Sequence, residues 1–189
     1  MHNSKPCIFH VGPLIPRSVE DRVRDDNELG FLPNIFALIA ESEPALKAFV
    51  ELNGLFGQSS FSEKEQQIIL LAASAENECA YCMAGHTVFA RSAHMEEDVI
   101  EAMRSNSVVC DQRLNVLNLL VRELIKTGGQ VPSKIVEKFL EAGFSRGQFM
   151  ELVLGICVKT FSNYLSNALE VPLDEEFQRC IWHRPAEAA

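Results

Sequence analysis

The 189-residue sequence lacks any hydrophobic run long enough to cross a lipid bilayer. Its longest apolar stretch, Ile68 to Ala75, is interrupted by Ser74 and falls well short of the roughly 18 residues that a spanning helix needs. The first residues, Met1 to Cys7, contain no apolar segment of the kind found in secretory signals. These two absences predict a cytoplasmic protein without membrane association.

Positive charge is also in short supply. Lysine and arginine total 17 against 26 acidic residues, which gives a net charge of −9. Non-specific binding to nucleic acid requires a basic surface, so we expect no nucleic-acid partner. No glycine-rich phosphate-binding loop is present, and the sequence therefore predicts no organic cofactor.

Signals for β-strands are weak, since the chain has two tyrosines, one tryptophan and no alternating apolar and polar runs. Signals for helix ends are frequent. Capping boxes start at Ser62 and Ser145, Asp111 can cap a further helix, and Gly128 can end it. The segment after Ser62 is apolar nearly all round, which is typical of a central helix. The sequence thus predicts an all-α, single-domain helical bundle.

Three prolines in residues 1–17 predict an extended N-terminal arm. The helical domain is expected to occupy residues 18–184, with a capping start at Ser18. Residues 185–189 are expected to fray, as chain ends commonly do.

The six cysteines are Cys7, Cys79, Cys82, Cys110, Cys157 and Cys180. In a reducing compartment most should remain free thiols. Cys110 and Cys157 stand among apolar residues and are expected to be small core side chains. Cys79 and Cys82 differ, because a Cys-x-x-Cys pair is usually redox-active or metal-bound.

His86 follows this pair by four residues. At about 100° per residue, Cys79, Cys82 and His86 fall within roughly 60° of one another on one face of a helix. With Asn77 as N-cap, both thiols would lie in the first helical turn, where the helix dipole favours a thiolate. This arrangement suits peroxide reduction: Cys82 attacks, Cys79 condenses with it to a disulfide, and His86 takes and returns the proton.

The motif is also compatible with two structural roles. A structural zinc site could use both thiols and His86, but it needs a fourth ligand, and His94 lies too far along the same helix. A disulfide that serves only to stabilise the fold is the second role.

The segment from Phe61 to Arg91 reads FSEKEQQIILLAASAENECAYCMAGHTVFAR. The spacing of its two cysteines and its histidine resembles that of the alkylhydroperoxidase D-like branch of the carboxymuconolactone decarboxylase-like family. The family pattern is a Glu, eleven residues, then Cys-x-x-Cys-x-x-x-His. Looser similarity covers 30–34 and the regions 161–164 and 172–174. The resemblance implies an alkylhydroperoxidase D-like helical bundle with the Cys-x-x-Cys pair at the N-terminus of a central helix.

The resemblance also assigns roles to residues. Cys82 corresponds to the peroxidatic thiol, Cys79 to the resolving thiol and His86 to the relay histidine. Where the pattern has its glutamate, this chain has Gln67. We expect Gln67 to act as a hydrogen-bonding substitute.

Two further residues join the predicted proton relay. Glu76, three residues before Cys79, is expected to supply the relay carboxylate. Tyr81 replaces a histidine that is frequent in the family, and it either donates to peroxide or walls the pocket.

The resemblance implies a thiol-dependent peroxidase or disulfide reductase in antioxidant defence. Its partners would be a peroxide substrate, an external dithiol or disulfide-reductase donor, and further copies of the chain in a trimer or hexamer. Two alternatives remain: a protein-disulfide oxidoreductase without peroxidase activity, and a non-redox lactone decarboxylase or zinc-binding module. The Cys-x-x-Cys pair argues against the decarboxylase, which does not use it.

Overall fold

A computed structural model describes residues 31–185 of the chain, and this part is all-helical. The α-helices are α1 (Asn34–Ile39), α2 (Glu43–Gly57), α3 (Glu63–Glu76), α4 (Ala80–Ser92), α5 (Glu97–Ser105), α6 (Gln112–Thr127), α7 (Ser133–Glu141) and α8 (Arg146–Ala168). A 3₁₀ segment, Glu175–Cys180, follows α8. The predicted fold class is confirmed.

The helix boundaries follow from local capping chemistry. Ser62 and Ser145 each form the expected capping box at the start of α3 and α8. The Asp111 carboxylate accepts the Leu114 amide at 2.9 Å and caps α6, and Gly128 ends that helix with a positive φ of 61°. Short-range signals therefore determine the start of three helices and the end of one.

Helix α3 lies at the centre of the bundle, packed against α4, α6 and α8. Its apolar side chains are completely buried on several faces, and Ile68, Ile69 and Leu71 have no exposed surface. A helix surrounded on all sides needs apolar residues all round, which is the pattern that the sequence shows. The prediction that this helix is central holds in the structure.

The segment after α8 returns to cover α4. Asp174 joins three parts of the chain, because it accepts hydrogen bonds from the Asn34 amide at 2.9 Å and from the Tyr81 hydroxyl at 2.5 Å. Further along, the Trp182 indole donates to the Arg104 carbonyl at 2.7 Å. The bond from Tyr81 holds the 3₁₀ segment, with its buried Phe177, against α4, and the bond to Arg104 holds the following residues against α5.

The prediction that Cys110 and Cys157 are core side chains is wrong, since both are exposed. Cys110 stands in the turn before α6. Cys157 lies on the outward face of α8, in line with exposed Met150 and Val153. Apolar neighbours in sequence do not distinguish a buried face from an apolar face left outside, which is why the prediction failed. The expected oligomer would use such faces, and it stays a prediction.

Several predictions fall outside the described residues. The extended arm (1–17), the capping start at Ser18 and almost all of the tail (185–189) lie in 1–30 or 186–189. The domain limits therefore stay predictions. Within residues 31–185, no helix is both long and apolar enough to span a bilayer.

Close packing between α2 and α8 depends on Gly155. A Cβ atom at this position would lie 2.6 Å from the Phe56 ring and 2.9 Å from Ile69. We expect Gly155→Ala to lower the free energy of unfolding by about 1–3 kcal/mol, because the buried ring has to shift. Urea denaturation followed by circular dichroism measures the change.

Gly54→Ala is the matched control, since no atom would lie within 4 Å of its new Cβ. Alanine in this helix should stabilise the protein by about 0.5–1 kcal/mol. Equal stabilities for the two variants would contradict the packing described for α2 and α8.

Candidate active site

Cys79 occupies the corner between α3 and α4. Its amide donates to the Ser74 carbonyl at 2.9 Å, and Glu78 before it has a left-handed φ of 53°. With the bond from the Glu78 amide to the Ala75 carbonyl, this is a Schellman ending for α3. The Cys79 sulfur then accepts the Cys82 amide at 3.4 Å and caps α4. One residue thus ends one helix and begins the next.

The prediction that Asn77 is the N-cap is wrong. Asn77 is instead the C-cap of α3, and α4 begins only at Ala80. The Asn77 side chain donates to the Asn163 oxygen at 3.1 Å, while its carbonyl accepts from Asn167 at 2.8 Å. Asn77 therefore fastens the corner to α8 and leaves the capping position to a thiol.

Cys82 lies in the first turn of α4 and faces α8. Its sulfur is 3.8 Å from the Ser166 hydroxyl and 4.0 Å from the Ser162 hydroxyl. Cys82 is 4% exposed and Cys79 is fully buried, and both are free thiols. The pair is therefore shielded from direct contact with the surface.

A cavity of about 630 Å³ reaches Cys82 but not Cys79. Most of its wall is apolar, and no carboxylate belongs to it among the described residues. The lining consists of Pro33, Ile35, Phe36, Phe49, Val50, Asn53, Gly54, Phe56, Gly57, Gln58, Gln66, Gln67, Leu70, Tyr81, Cys82, Gly85, His86, Phe89, Lys159, Ser162 and Phe177. Cys82 is thus the thiol that a bound molecule meets.

Among residues 31–185, Lys159 is the one lysine that lines this cavity, and it is only 5% exposed. It precedes Ser162 by three residues on α8, so it lies one turn away on the face that contacts Cys82. Within the same described range, no carboxylate forms an ion pair with it. An ammonium in a cavity wall without a carboxylate partner favours a nearby thiolate.

The two thiols have opposite electrostatic environments. Burial by itself would raise the pKa of Cys82, but a hydrogen bond from Cys79, the charge of Lys159 and the polar groups of Asn163 and Ser166 together lower it well below its usual value. The hydrogen bond to Cys82 and burial raise the pKa of Cys79. The arrangement therefore favours ionisation of Cys82 over ionisation of Cys79.

His86 lies one turn beyond Cys82, with Nδ1 3.0 Å from the Gln67 side-chain oxygen. With the amide oxygen facing it, Nδ1 carries the proton and Nε2 remains an acceptor. Burial, and then the charge of Lys159, hold the pKa of His86 well below its usual value. The imidazole is accordingly neutral near pH 7, so the positive charge that favours ionisation of Cys82 comes from Lys159.

The structure does not bring Glu76 to the thiols. Its carboxylate lies 3.5 Å from Arg122 and 3.7 Å from Lys126, both on α6, and it takes no part in the cavity wall. The prediction that Glu76 supplies the relay carboxylate is wrong because Glu76 still belongs to helix α3, on the face that packs against α6.

Tyr81 contributes its ring to the cavity wall. Its hydroxyl donates to Asp174 and accepts from the Ile35 amide at 3.2 Å. Of the two roles that the sequence allows for Tyr81, the structure places it in the wall.

Among residues 31–185, no group of three or more His, Cys, Asp or Glu side chains is arranged to hold a metal ion. His94, the fourth zinc ligand considered from the sequence, is exposed beyond the end of α4. The thiols and His86 therefore lack the further ligand that a tetrahedral site would require from this part of the chain.

Sequence reasoning missed the contribution of α8. Lys159, Ser162 and Ser166 share one face at spacings of three and four residues in an otherwise apolar helix. Polar residues at helical spacing within an apolar segment were the available signal, and they indicate a buried polar site.

Residues 43–121 match the carboxymuconolactone decarboxylase family. The match runs from α2 into α6 and includes the Cys-x-x-Cys pair and His86. Over these residues, the match agrees with the family resemblance seen in the sequence. No curated protein sequence matches the chain.

Solved structures share the fold at low sequence identity. A peroxidase-related protein with an alkylhydroperoxidase AhpD core from Ralstonia eutropha JMP134 is 22% identical, with a TM-score of 0.77 over 86% of this chain and 88% of that one. A peroxidase-related protein from Silicibacter sp. TM1040 is 18% identical, with a TM-score of 0.79 over 93% and 97%. The debrominase Bmp8, in complex with 2,3,4-tribromopyrrole, is 15% identical, with a TM-score of 0.78 over 93% and 97%.

Gln67→Glu tests the electrostatics of His86. A carboxylate beside Nδ1 would stabilise the imidazolium, so we expect the pKa of His86 to rise by about one unit or more. Titration of the imidazole carbon-bound protons by NMR measures it. Gln66→Glu is the control, because the Gln66 amide donates to the Ser59 hydroxyl at 3.2 Å, away from the imidazole. An unchanged His86 in Gln67→Glu would contradict the contact.

Proposed function

We propose that the protein is a thiol-dependent peroxidase that reduces small organic hydroperoxides with the Cys79–Cys82 pair. The observation that carries the proposal is the position of Cys82: it lines the cavity together with Lys159, and its amide donates to the sulfur of Cys79, which is absent from the cavity wall. A peroxide in the cavity thus meets the thiol that the site keeps ionised.

The proposed cycle has two steps. The Cys82 thiolate attacks the terminal oxygen of ROOH, the O–O bond breaks, and RO⁻ leaves and takes a proton, which gives Cys82–SOH and ROH. The Cys79 thiol then condenses with the sulfenic acid, so that an S–S bond forms and water leaves. In this cycle His86 gives a proton to the departing oxygen, and the contact of its Nδ1 with Gln67 leaves Nε2 for that transfer.

The chain would need an external dithiol donor to return to the reduced form. The burial of both thiols favours small substrates over protein disulfides, since a protein disulfide has to reach a sulfur that is 4% exposed. This favours a peroxidase over the alternative of a protein-disulfide oxidoreductase. Antioxidant defence in the cytoplasm is the role proposed for this activity.

The test follows both thiols after a short exposure to cumene hydroperoxide, using alkylation and peptide mass spectrometry. In the native protein we expect rapid formation of a Cys79–Cys82 disulfide. Cys79→Ser should stop at the Cys82 sulfenic acid, which dimedone traps, and Cys82→Ser should lose the reaction by at least about 100-fold. Cys157→Ser, which changes an exposed thiol outside the cavity, is the control and should react normally.

Two results would contradict the proposal. Thiols that stay reduced with peroxide while they exchange rapidly with a protein disulfide would favour the oxidoreductase. Dimedone labelling of Cys79 in Cys82→Ser at the native rate would reverse the roles assigned to the two thiols.

Reductive debromination is a second candidate, favoured by the aromatic side chains of Phe36, Phe49 and Phe89 in the cavity wall. The structural relative Bmp8 is a debrominase seen with 2,3,4-tribromopyrrole. Here the Cys82 thiolate would take bromine, the carbon would gain a proton, and Cys79 would expel bromide as the disulfide forms. Bromide release from tribromopyrrole, without a peroxide reaction, would select this function.

A further inference from the structure

The charge of Lys159 loses its partner when the two thiols are oxidised. In the reduced form of the proposed cycle, this charge stabilises the Cys82 thiolate in the same cavity. Once Cys79 and Cys82 form a disulfide, that negative charge is gone. Among the described residues no carboxylate is available in the wall to replace it. The Lys159 ammonium in the cavity wall would then lack an anionic neighbour, and this favours the entry of an anion into the cavity.

We propose that Lys159 exchanges one anion for another during the cycle: the Cys82 thiolate in the dithiol form, and the carboxylate of a small thiol that enters to reduce the disulfide. This inference rests on the thiol–disulfide cycle proposed above. It assigns the reductant to a chemical class, a low-molecular-weight thiol that carries a carboxylate.

The shape of the site supports a small reductant. The cavity gives access to Cys82, whereas Cys79 is fully buried behind it. A thiolate entering through the cavity therefore meets the Cys82 sulfur first. The cavity, at about 630 Å³, accommodates a small organic thiol.

The charge of the site supports an anionic reductant. In the oxidised protein the disulfide carries no charge, His86 is neutral, and most of the wall is apolar. Among residues 31–185, Lys159 is then the one charged side chain that lines the cavity. A cationic thiol would be repelled in this low-dielectric space, and a carboxylate would be attracted. The net charge of −9 on the whole chain repels anions, so a preference for an anionic thiol has to come from the site itself.

The reduction balances in two exchanges. The first thiolate attacks the Cys82 sulfur, the Cys79–Cys82 bond breaks, and Cys79 leaves and takes a proton. A mixed disulfide now joins the small thiol to Cys82. A second thiolate attacks the sulfur of the small thiol, which releases the oxidised small disulfide and restores the Cys82 thiolate beside Lys159.

The experiment uses the full chain, oxidised with diamide, so that it does not depend on peroxide chemistry. The Cys79–Cys82 disulfide is then reduced with 3-mercaptopropionate or cysteamine, which differ in charge, at equal thiolate concentrations. The measured quantity is the ratio of the two second-order rate constants. We expect this ratio to fall by about tenfold or more in Lys159→Met. Because each ratio is compared between variants, the intrinsic reactivities of the two thiols cancel.

Two further variants serve as controls. Lys159→Arg retains the charge and should keep most of the preference for the anionic thiol. Lys47→Met removes an exposed lysine that pairs with Glu43 on α2 and takes no part in the cavity wall, so it should leave the ratio unchanged. The same ratio in the native protein, Lys159→Met and Lys47→Met would overturn the inference.

A measurement on the native protein keeps the test independent of the folding of any variant. Calorimetry with 3-phenylpropionate, a carboxylate without a thiol, should show binding to the oxidised chain at least about tenfold tighter than to the reduced chain. Equal binding to both forms, or binding to neither, would overturn the inference. Failure of the chain to react with peroxide would overturn the proposed function, while the diamide-oxidised protein would still report on Lys159.

Discussion

The buried charge of Lys159 constrains the whole site. Lys159 is 5% exposed as a whole residue, and its ammonium has no carboxylate partner in the described chain, so it attracts another anion in the cavity. The Cys82 sulfur is the group in position to be that anion. It is held there because the α3–α4 corner is fastened to α8 through Asn77 and Asn163. The helix packing and the ionisation of one thiol are therefore parts of the same arrangement.

The same constraint separates the roles of the two thiols. Cys79 has a structural role in the corner between α3 and α4: its amide donates to the last turn of α3, and its sulfur caps α4. Cys82 faces the cavity and carries the charge. With Gln67 in place of a glutamate, the contact at His86 adds no negative charge, so the imidazole stays neutral. In the proposed reduced site, Lys159 carries the positive charge and Cys82 carries the negative charge.

Much of the fold was accessible from the sequence because it follows from local signals. The caps at Ser62, Asp111 and Ser145 predicted the starts of three helices, and the apolar character of α3 predicted the centre of the bundle. Only part of the site could be predicted from the sequence. The spacing of Cys79 and Cys82 is a local feature of the sequence, whereas Lys159 joins their site only through the tertiary packing of α8.

The errors have physical reasons. Asn77 is a common N-cap residue, but the left-handed turn at Glu78 moves that position to a cysteine. Glu76 is near the thiols in sequence, yet the helical direction of its side chain takes it to α6. Nearness in sequence is thus a poor guide where one helix ends and another begins.

Ultraviolet absorbance of the thiolate during a pH titration tests directly whether Cys82 is ionised in the reduced protein at neutral pH. We expect an absorbance step below neutral pH, well under the usual cysteine pKa of about 8.5, and the loss of this step in Cys82→Ser. A titration without any step below about pH 8, or with the same step in Cys82→Ser, would contradict it.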